Sequence, residues 1–577
     1  MENIMENKTE MNVKVMNRIK EKSYQILHML DKNSEHAVEV NRELLMNIVR
    51  DNQNTRFGTG HHFNDITSPE SYREHVPLSD YEDYAEAVRC MMEDGEENLI
   101  TAYPVQYYAI TGGTTGAPKN VPVTDRGIAN IRDYASSIMP AVISEFYKNT
   151  KLEDVPDGFR LTLLSIFKRD LPNGSKTGFI SASCLTDETM RLLPYLYSTP
   201  KDVLFSAEGT NLKYLHAFFG LSERNVSCFT GPYIPILLDF INYIKSEWPV
   251  LVRDIRRGVI AENIQIPDWL RQKLQSEISP NPERANELEK EFSQGFDNTI
   301  LKRIWPKLSA VTAIWAGNFS SYARKLQEFT GRSIPYYTMS YSSSEGVFAV
   351  ARHPFDQCYV MTPDTCFFEF IPVDSQKGGD DDANAATVFI DGVQEGKDYE
   401  LIITNPSGFY RYRTGDVIRV VGFYNESPMI VFMYRKKNIV SIMGEHFTED
   451  HLFNAIQEFE RRTGLDIIDY CMYPDRDAAP VRYAIFLEPD SAVPAERLQE
   501  YTKIMQQELL RASSSYADYY ADDVLGMPKL TFLQSQTFQL YREIRMYKSG
   551  ISENQLKPVH VLTTPEMIRF FSELAEQ

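Results

Sequence analysis

Thr111-Gly-Gly-Thr-Thr-Gly-Ala-Pro-Lys119 is the stretch around which the rest of the chain falls into order. It follows residues 104–110, whose β-branched and aromatic content predicts a strand, and precedes residues 127–143, whose spaced apolar side chains predict a helix. The stretch therefore reads as the loop between the two. Gly112, Gly113 and Gly116 leave backbone N–H groups uncovered and permit positive φ, Thr111, Thr114 and Thr115 add hydroxyls, and Lys119 closes the run with a cation. That is the chemistry of a phosphate cradle. It is not a Walker A loop, because Pro118 precedes the lysine and Asn120 follows it where that motif needs Gly before and Ser or Thr after. Alone, the stretch is equally an ordinary Gly/Thr-rich turn, and later stretches decide between the two.

Outward from the loop, the pattern is α/β. Apolar residues at helical spacing over 13–30 and 37–49 predict an opening helical pair. Residues 54–63, rich in turn formers, read as a structured loop in which His61 and His62 lack a third metal ligand. After the loop, strands at 160–167, 179–184 and 308–315 alternate with helices at 187–195, 211–219 and 320–329, and Phe229-Thr-Gly-Pro232 opens a further apolar helix. Residues 266–296 form a polar, helix-rich insertion. From 334 to 423 short strands predict a β-barrel-like subdomain, interrupted by the acidic, Gly-rich 377–384. Beyond Arg435-Lys-Lys437 a shorter α+β pattern begins, with a strand at 439–443, helices at 449–461 and 495–510, and strands near Ile468 and Tyr483. The expected division is a large domain, residues 1–433, and a small mobile domain, residues 434–577.

Composition narrows the class of partner. Lys plus Arg number 60 against 80 Asp plus Glu, a formal net charge of −20 that argues against nucleic acid. The six cysteines show no Cys-x-x-Cys pairing, which fits a reducing cytoplasm, and no run approaches a membrane span of roughly 20 apolar residues. A monomer is expected.

Three more stretches carry chemistry. Tyr341-Ser342-Ser343-Ser344-Glu345-Gly346 sets hydroxyls beside one carboxylate; the serines can bind phosphate or base and Glu345 can hold Mg²⁺, although Ser-Ser-Ser-Glu is also a good helix start. In Tyr410-Arg-Tyr-Arg-Thr-Gly-Asp416 the last residue stands at the start of a strand, where its carboxylate can accept both hydroxyls of a ribose or merely shape a turn. Gly550-Ile-Ser-Glu-Asn-Gln-Leu-Lys557-Pro558 presents one lysine near the C-terminus.

In this order the stretches resemble the acyl-acid amido synthetases of the auxin-responsive type, within the adenylate-forming superfamily of acyl-CoA synthetases, adenylation domains and luciferases. The resemblance also takes in Thr55-x-Phe-Gly-x-x-His61, Val76-Pro-Leu-Ser-Asp-Tyr81 and Phe368-Glu-Phe-Ile-Pro372, and it spans nearly the whole chain. It implies ATP and Mg²⁺, a carboxylic acid and an amine, in particular an amino acid. The acid would be adenylated with release of pyrophosphate, and the amine would then displace AMP. It further implies nucleotide contacts from Thr111 to Gly116, Gly317, Tyr341 to Ser344, Asp416 and Arg435, metal at Glu345, and catalytic cations at Lys557 and Lys119. Departures are Gly112 in place of a usual serine, His446 where relatives carry a lysine, and Val559-His560 after Pro558; they suggest a bacterial-type branch. A thioester-forming acyl-CoA synthetase would use the same motifs but needs a coenzyme A surface that the sequence does not declare. A non-catalytic binder would have little use for a lysine on a mobile domain.

Overall fold

The computed structural model describes residues 2–111, 119–150, 157–163, 166–206, 211–297, 299–315, 319–373, 385–436, 442–443, 445, 447–549 and 558–575. Two helices open the chain, Glu2–Glu35 and Ala37–Asn52. The second buries Leu44, Leu45, Ile48 and Val49 on one face and anchors the β subdomain through Asn41, whose amide donates to the carbonyls of Pro363 and Cys366. Residues 54–63, expected as a loop, contain a helical turn, Arg56–Gly60, because Thr55 caps it by accepting from the Gly58 N–H.

The strand Val105–Ile110 is as expected, but it pairs antiparallel with Asn120–Thr124, so Thr111 to Lys119 connects a β-hairpin rather than a strand and a helix. β-Branched Val121, Val123 and Thr124 sit in that return strand and are buried, which favours the extended pairing. The helix read over 127–143 is broken into Asp125–Asn130, a π-turn at Ile131–Ser137 and Met139–Asn149. Pro140 has no N–H to continue the ladder from the preceding turn, and Ser137 Oγ instead donates to the Arg132 carbonyl. Residues 179–184 are not a strand. The parallel pairing of Val105–Ile110 ends at Gly178, and beyond it the chain turns through the 3₁₀ segment Ile180–Ala182.

The α/β expectation is met by a four-stranded parallel sheet in the order Phe159–Thr162, Val226–Tyr233, Ala310–Ile314, Tyr336–Tyr337. Residues 229–232 belong to its second strand, and the apolar helix starts at Ile234, with Pro235 in its first turn. That helix, Ile234–Arg257, packs with Leu212–Ser222, Pro282–Ser293 and Ser320–Thr330 around a core containing Trp305 and Phe229.

The β subdomain is an eight-stranded antiparallel sheet in the order Val388–Phe389, Phe367–Pro372, Asp398–Thr404, Tyr412–Tyr424, Ser427–Arg435, Tyr359–Met361, Gly346–Val350, Ser340–Ser343. It shares one core with the N-terminal helices and the hairpin. The C-terminal part has separate cores around the sheet Ile467–Asp475, Arg482–Pro489, Lys529–Phe532 and the helices Glu449–Thr463 and Leu498–Ala512. Of the strand expected at 439–443, residues 439–441 lie outside the described residues.

Candidate active site

Two β-hairpins and one ribbon converge on the site. The ribbon is Tyr412–Tyr424 with Ser427–Arg435, in which Asp416 and Arg435 are directly opposed. Asp416 is thus the fifth residue of its strand, not the first, and its burial follows from that interior position. Arg435 Nε reaches Asp416 Oδ1 at 2.6 Å, Arg435 Nη2 reaches Oδ2 at 3.1 Å, and the Tyr341 hydroxyl donates to Oδ2 at 2.7 Å. Tyr341 stands on the sheet's edge strand, four strand positions from Asp416. In a flat sheet that separation would be roughly 19 Å. The observed contact therefore requires the sheet to curl on itself, the barrel-like form expected from its short strands. Burial first, and then the Asp416 charge, raise the Tyr341 phenol well above its ordinary pKa, so it is a permanent donor. Burial opposes the charge on Arg435, yet Asp416 outweighs it and holds the guanidinium protonated.

The second element corrects the alternative reading of Ser343-Ser344-Glu345 as a helix start. Ser340–Ser343 and Gly346–Val350 pair antiparallel, and Ser344 and Glu345 form the turn between them. Glu345 is held at three points. Ser343 Oγ donates to Oε2 at 2.5 Å, the Tyr412 hydroxyl donates to Oε1 at 3.2 Å, and Asn405 Nδ2 donates to the Glu345 backbone carbonyl at 2.8 Å. Ser342 is exposed, its hydroxyl 3.1 Å from Ser340 Oγ. Among the described residues the carboxylate is engaged by neutral hydroxyls, which leaves it further lone pairs and suits a hard cation such as Mg²⁺.

The third element is the stem of the loop at 111–119. The Thr111 N–H donates to the Lys119 carbonyl at 2.9 Å and the Lys119 N–H to Thr111 Oγ1 at 3.3 Å. The Lys119 ammonium lies 4.5 Å from the centre of the Tyr81 ring, and the Tyr81 hydroxyl both donates to the Asn120 carbonyl and accepts from its N–H, each at 3.0 Å. The expected contacts from Gly112, Gly113, Thr114, Thr115, Gly116 and Gly317, and the roles given to Lys557 and His446, lie outside the described residues.

The structure thus brings together Tyr341, Asp416 and Arg435, and separately Ser343 with Glu345. It adds Tyr412, Asn405 and Tyr81, to which the sequence assigned no role. Tyr412 and Tyr81 lie inside stretches already singled out, and Asn405 opens Asn405-Pro-Ser-Gly408, so their positions were visible even though their direction was not. Arg411 and Glu369, also in quoted motifs, form a buried internal pair. His560 is buried, stacked on Tyr470 at 4.4 Å, with Nε2 3.6 Å from Asp469. Burial pulls its pKa down, but Asp469 outweighs it and the net shift is upward. Among the described residues no helix is long and apolar enough to cross a membrane.

Comparison with known proteins gives matches along most of the chain. The GH3 family N-terminal domain matches residues 26–335, its central domain 359–435 and its C-terminal domain 450–566. Among relatives, the 4-substituted benzoates-glutamate ligase GH3.12 of Arabidopsis thaliana is 26% identical over 546 residues, 87% of this chain and 91% of that protein. The jasmonoyl–L-amino acid synthetase JAR6 of Nicotiana attenuata is 25% identical, with 87% of each chain covered. The solved structure of the GH3.15 acyl acid amido synthetase superposes with a TM-score of 0.81 over 96% of both chains at 24% identity. A 2-hydroxyisobutyryl-CoA ligase in its postadenylation state superposes at 0.51 over 96% of this chain and 92% of that one, at 12% identity.

Proposed function

Since the chain belongs to the GH3 family, we propose that it is an ATP-dependent acyl-acid amido synthetase, which adenylates a carboxylic acid with release of pyrophosphate and passes the acyl group to an amino acid. The observation that carries the reading within this structure is the Tyr341–Asp416–Arg435 cluster beside the hydroxyl-held Glu345. The cluster offers a buried carboxylate for ribose hydroxyls and a cation next to it. Its neighbour offers a separate carboxylate for Mg²⁺.

Adenylation brings one carboxylate against a polyanion, so preorganised positive charge and N–H donors supply most of the rate enhancement. Lys119, fixed on Tyr81, and the loop it closes would face the phosphates, and Lys557 would add its charge from the small domain. Mg²⁺ bound at Glu345 would neutralise phosphate charge and orient the leaving pyrophosphate. Asp416 already accepts three hydrogen bonds. Having about four lone-pair sites, it takes a ribose hydroxyl at the fourth and a second one only by displacing Arg435 or Tyr341.

The division expected at residue 434 is better drawn a few residues later, between Lys436 and Ile442. Lys436 is still tied to the sheet by the buried Glu400, at 2.6 Å, whereas Ile442 already packs into the C-terminal core. The six cysteines, all free, support a reducing cytoplasmic setting, and the protein is read as a monomer. A matrix of carboxylic acids against amino acids, scored by AMP formation and product mass, tests the function. The expected result is an acid-dependent AMP signal with an amide product. A signal obtained only when coenzyme A replaces the amino acids would make the protein a thioester-forming ligase, and no signal with any pair would remove the synthetase reading.

A further inference from the structure

Between Glu345 and the stem of the loop at 111–119 lies a short run of rings. Phe409 is fully buried. Tyr412 stacks parallel to it, with centroids 4.8 Å apart at 16°, and Tyr81 stands perpendicular to it, with centroids 6.5 Å apart at 84°. Each tyrosine spends its hydroxyl outward from this packing, Tyr412 on the Glu345 carboxylate and Tyr81 on both backbone groups of Asn120, next to Lys119. Phe409 is itself fixed by backbone, its N–H donating to Asn405 Oδ1 at 3.1 Å, and the same Asn405 holds the Glu345 carbonyl. Tyr84 closes the cluster, 4.9 Å from Phe409.

We propose that Tyr412 and Tyr81 are positioning residues, braced on the common ring of Phe409, that present the Glu345 carboxylate and the Lys119 end of the loop in one fixed relation. The proposal rests on the metal role read for Glu345 above. A ring packed against the buried Phe409 has few alternative rotamers, Tyr412 by stacking and the half-buried Tyr81 edge-on, so a hydroxyl carried on one is placed with little further entropy loss at binding. A donor to a metal-binding carboxylate restricts its orientation, and loss of such a partner typically lowers metal affinity 10–100-fold.

The test is Mn²⁺ binding to the full chain with α,β-methylene-ATP, followed by electron paramagnetic resonance, in Tyr412→Phe, Glu345→Gln and the double variant. Phenylalanine keeps the stacking on Phe409, so the melting temperature should hold. Tyr412→Phe is expected to weaken Mn²⁺ about 10-fold, and to have no further effect in the Glu345→Gln background. Tyr81→Phe should raise the KM for ATP about 3–10-fold while leaving Mn²⁺ affinity within about twofold, since it frees the Asn120 backbone and not the carboxylate. Unchanged Mn²⁺ affinity in Tyr412→Phe, with the expected loss in Glu345→Gln, overturns the proposal alone. Equal losses from Tyr412→Phe in both backgrounds also overturn it, since the effect would not pass through Glu345. If Glu345→Gln itself leaves Mn²⁺ binding unchanged, the metal reading falls and the proposal with it.

Discussion

Two arginine–carboxylate pairs lie close together in sequence, at the two ends of Tyr410 to Asp416, and they have opposite characters. At the inner end Arg411 and Glu369 have side chains 6% and 1% exposed. Arg411 Nε faces both Glu369 oxygens, Nη1 reaches the carbonyls of Val76 and Arg73, and Nη2 reaches Thr387 Oγ1, which also donates to Glu369. Every guanidinium nitrogen has a partner within the chain. At the outer end Asp416 is 4% exposed but Arg435 is 42% exposed. Its guanidinium can move into solvent or toward a ligand without stranding a buried cation. Two pairs of the same kind, arginine with carboxylate, therefore divide into one that fixes the fold and one able to exchange partners, and the difference lies in burial and in how many other groups depend on the pair.

The largest effect expected from breaking this comparison is at the inner pair. Arg411→Ala leaves the Glu369 carboxylate buried and uncompensated, which should cost about 3–5 kcal/mol of folding stability in a urea titration. A loss below about 1 kcal/mol would mean that Glu369 finds water or a proton easily, and the contrast between the pairs would collapse. Lys557→Ala should differ from both pairs, because in the proposed reaction its charge would be needed only while phosphate charge develops. Pyrophosphate exchange should fall by on the order of 10² to 10³, with amide formation from synthetic acyl-adenylate nearly unchanged. Equal losses in the two half-reactions would assign Lys557 to binding or folding. At the outer pair, Asp416→Asn should weaken ATP by about 1.5–3 kcal/mol, seen by calorimetry, while costing less stability than Arg411→Ala. Unchanged ATP affinity in the folded variant would return Asp416 to a purely structural role. The smallest effect belongs to Arg89, which bridges Glu86 and Glu93 on an exposed helix face. Arg89→Ala should leave the melting temperature unmoved within error, and a clear drop would show that exposed pairs matter here more than solvent screening allows.

Much of this architecture was legible because it depends on local pattern. The helices read at 13–30 and 37–49, the strands read at 160–167 and 308–315 and the antiparallel pair read at 399–404 and 416–423 follow from apolar spacing and β-branched content, although the first helix begins already at Glu2, the strand from Phe159 ends at Thr162 and the strand through Asp416 begins at Tyr412. The errors fall where a distant partner decides. Residues 120–124 became a strand because the chain at 105–110 offers an edge to pair with, and 180–182 failed to become one because its would-be pairing ended at Gly178. Likewise the serines at 342–344 could cap a helix, but pairing of 340–343 with 346–350 placed them on and beside a hairpin turn.

The sequence by itself determined which groups were available: a Gly/Thr loop closed by Lys119, the carboxylates Glu345 and Asp416, the arginines around them, and the order in which the family arranges them. Covalent order fixes side-chain chemistry and local periodicity, and these survive without any knowledge of the fold. Only the tertiary structure decided what each group faces. Asp416 is shared by Tyr341 from a strand four positions away because the sheet curls, and Glu345 is gripped by Tyr412 because Phe409 holds that ring in place. Such contacts depend on sheet curvature and ring packing, which are set by the whole core and are written in no single stretch of the chain.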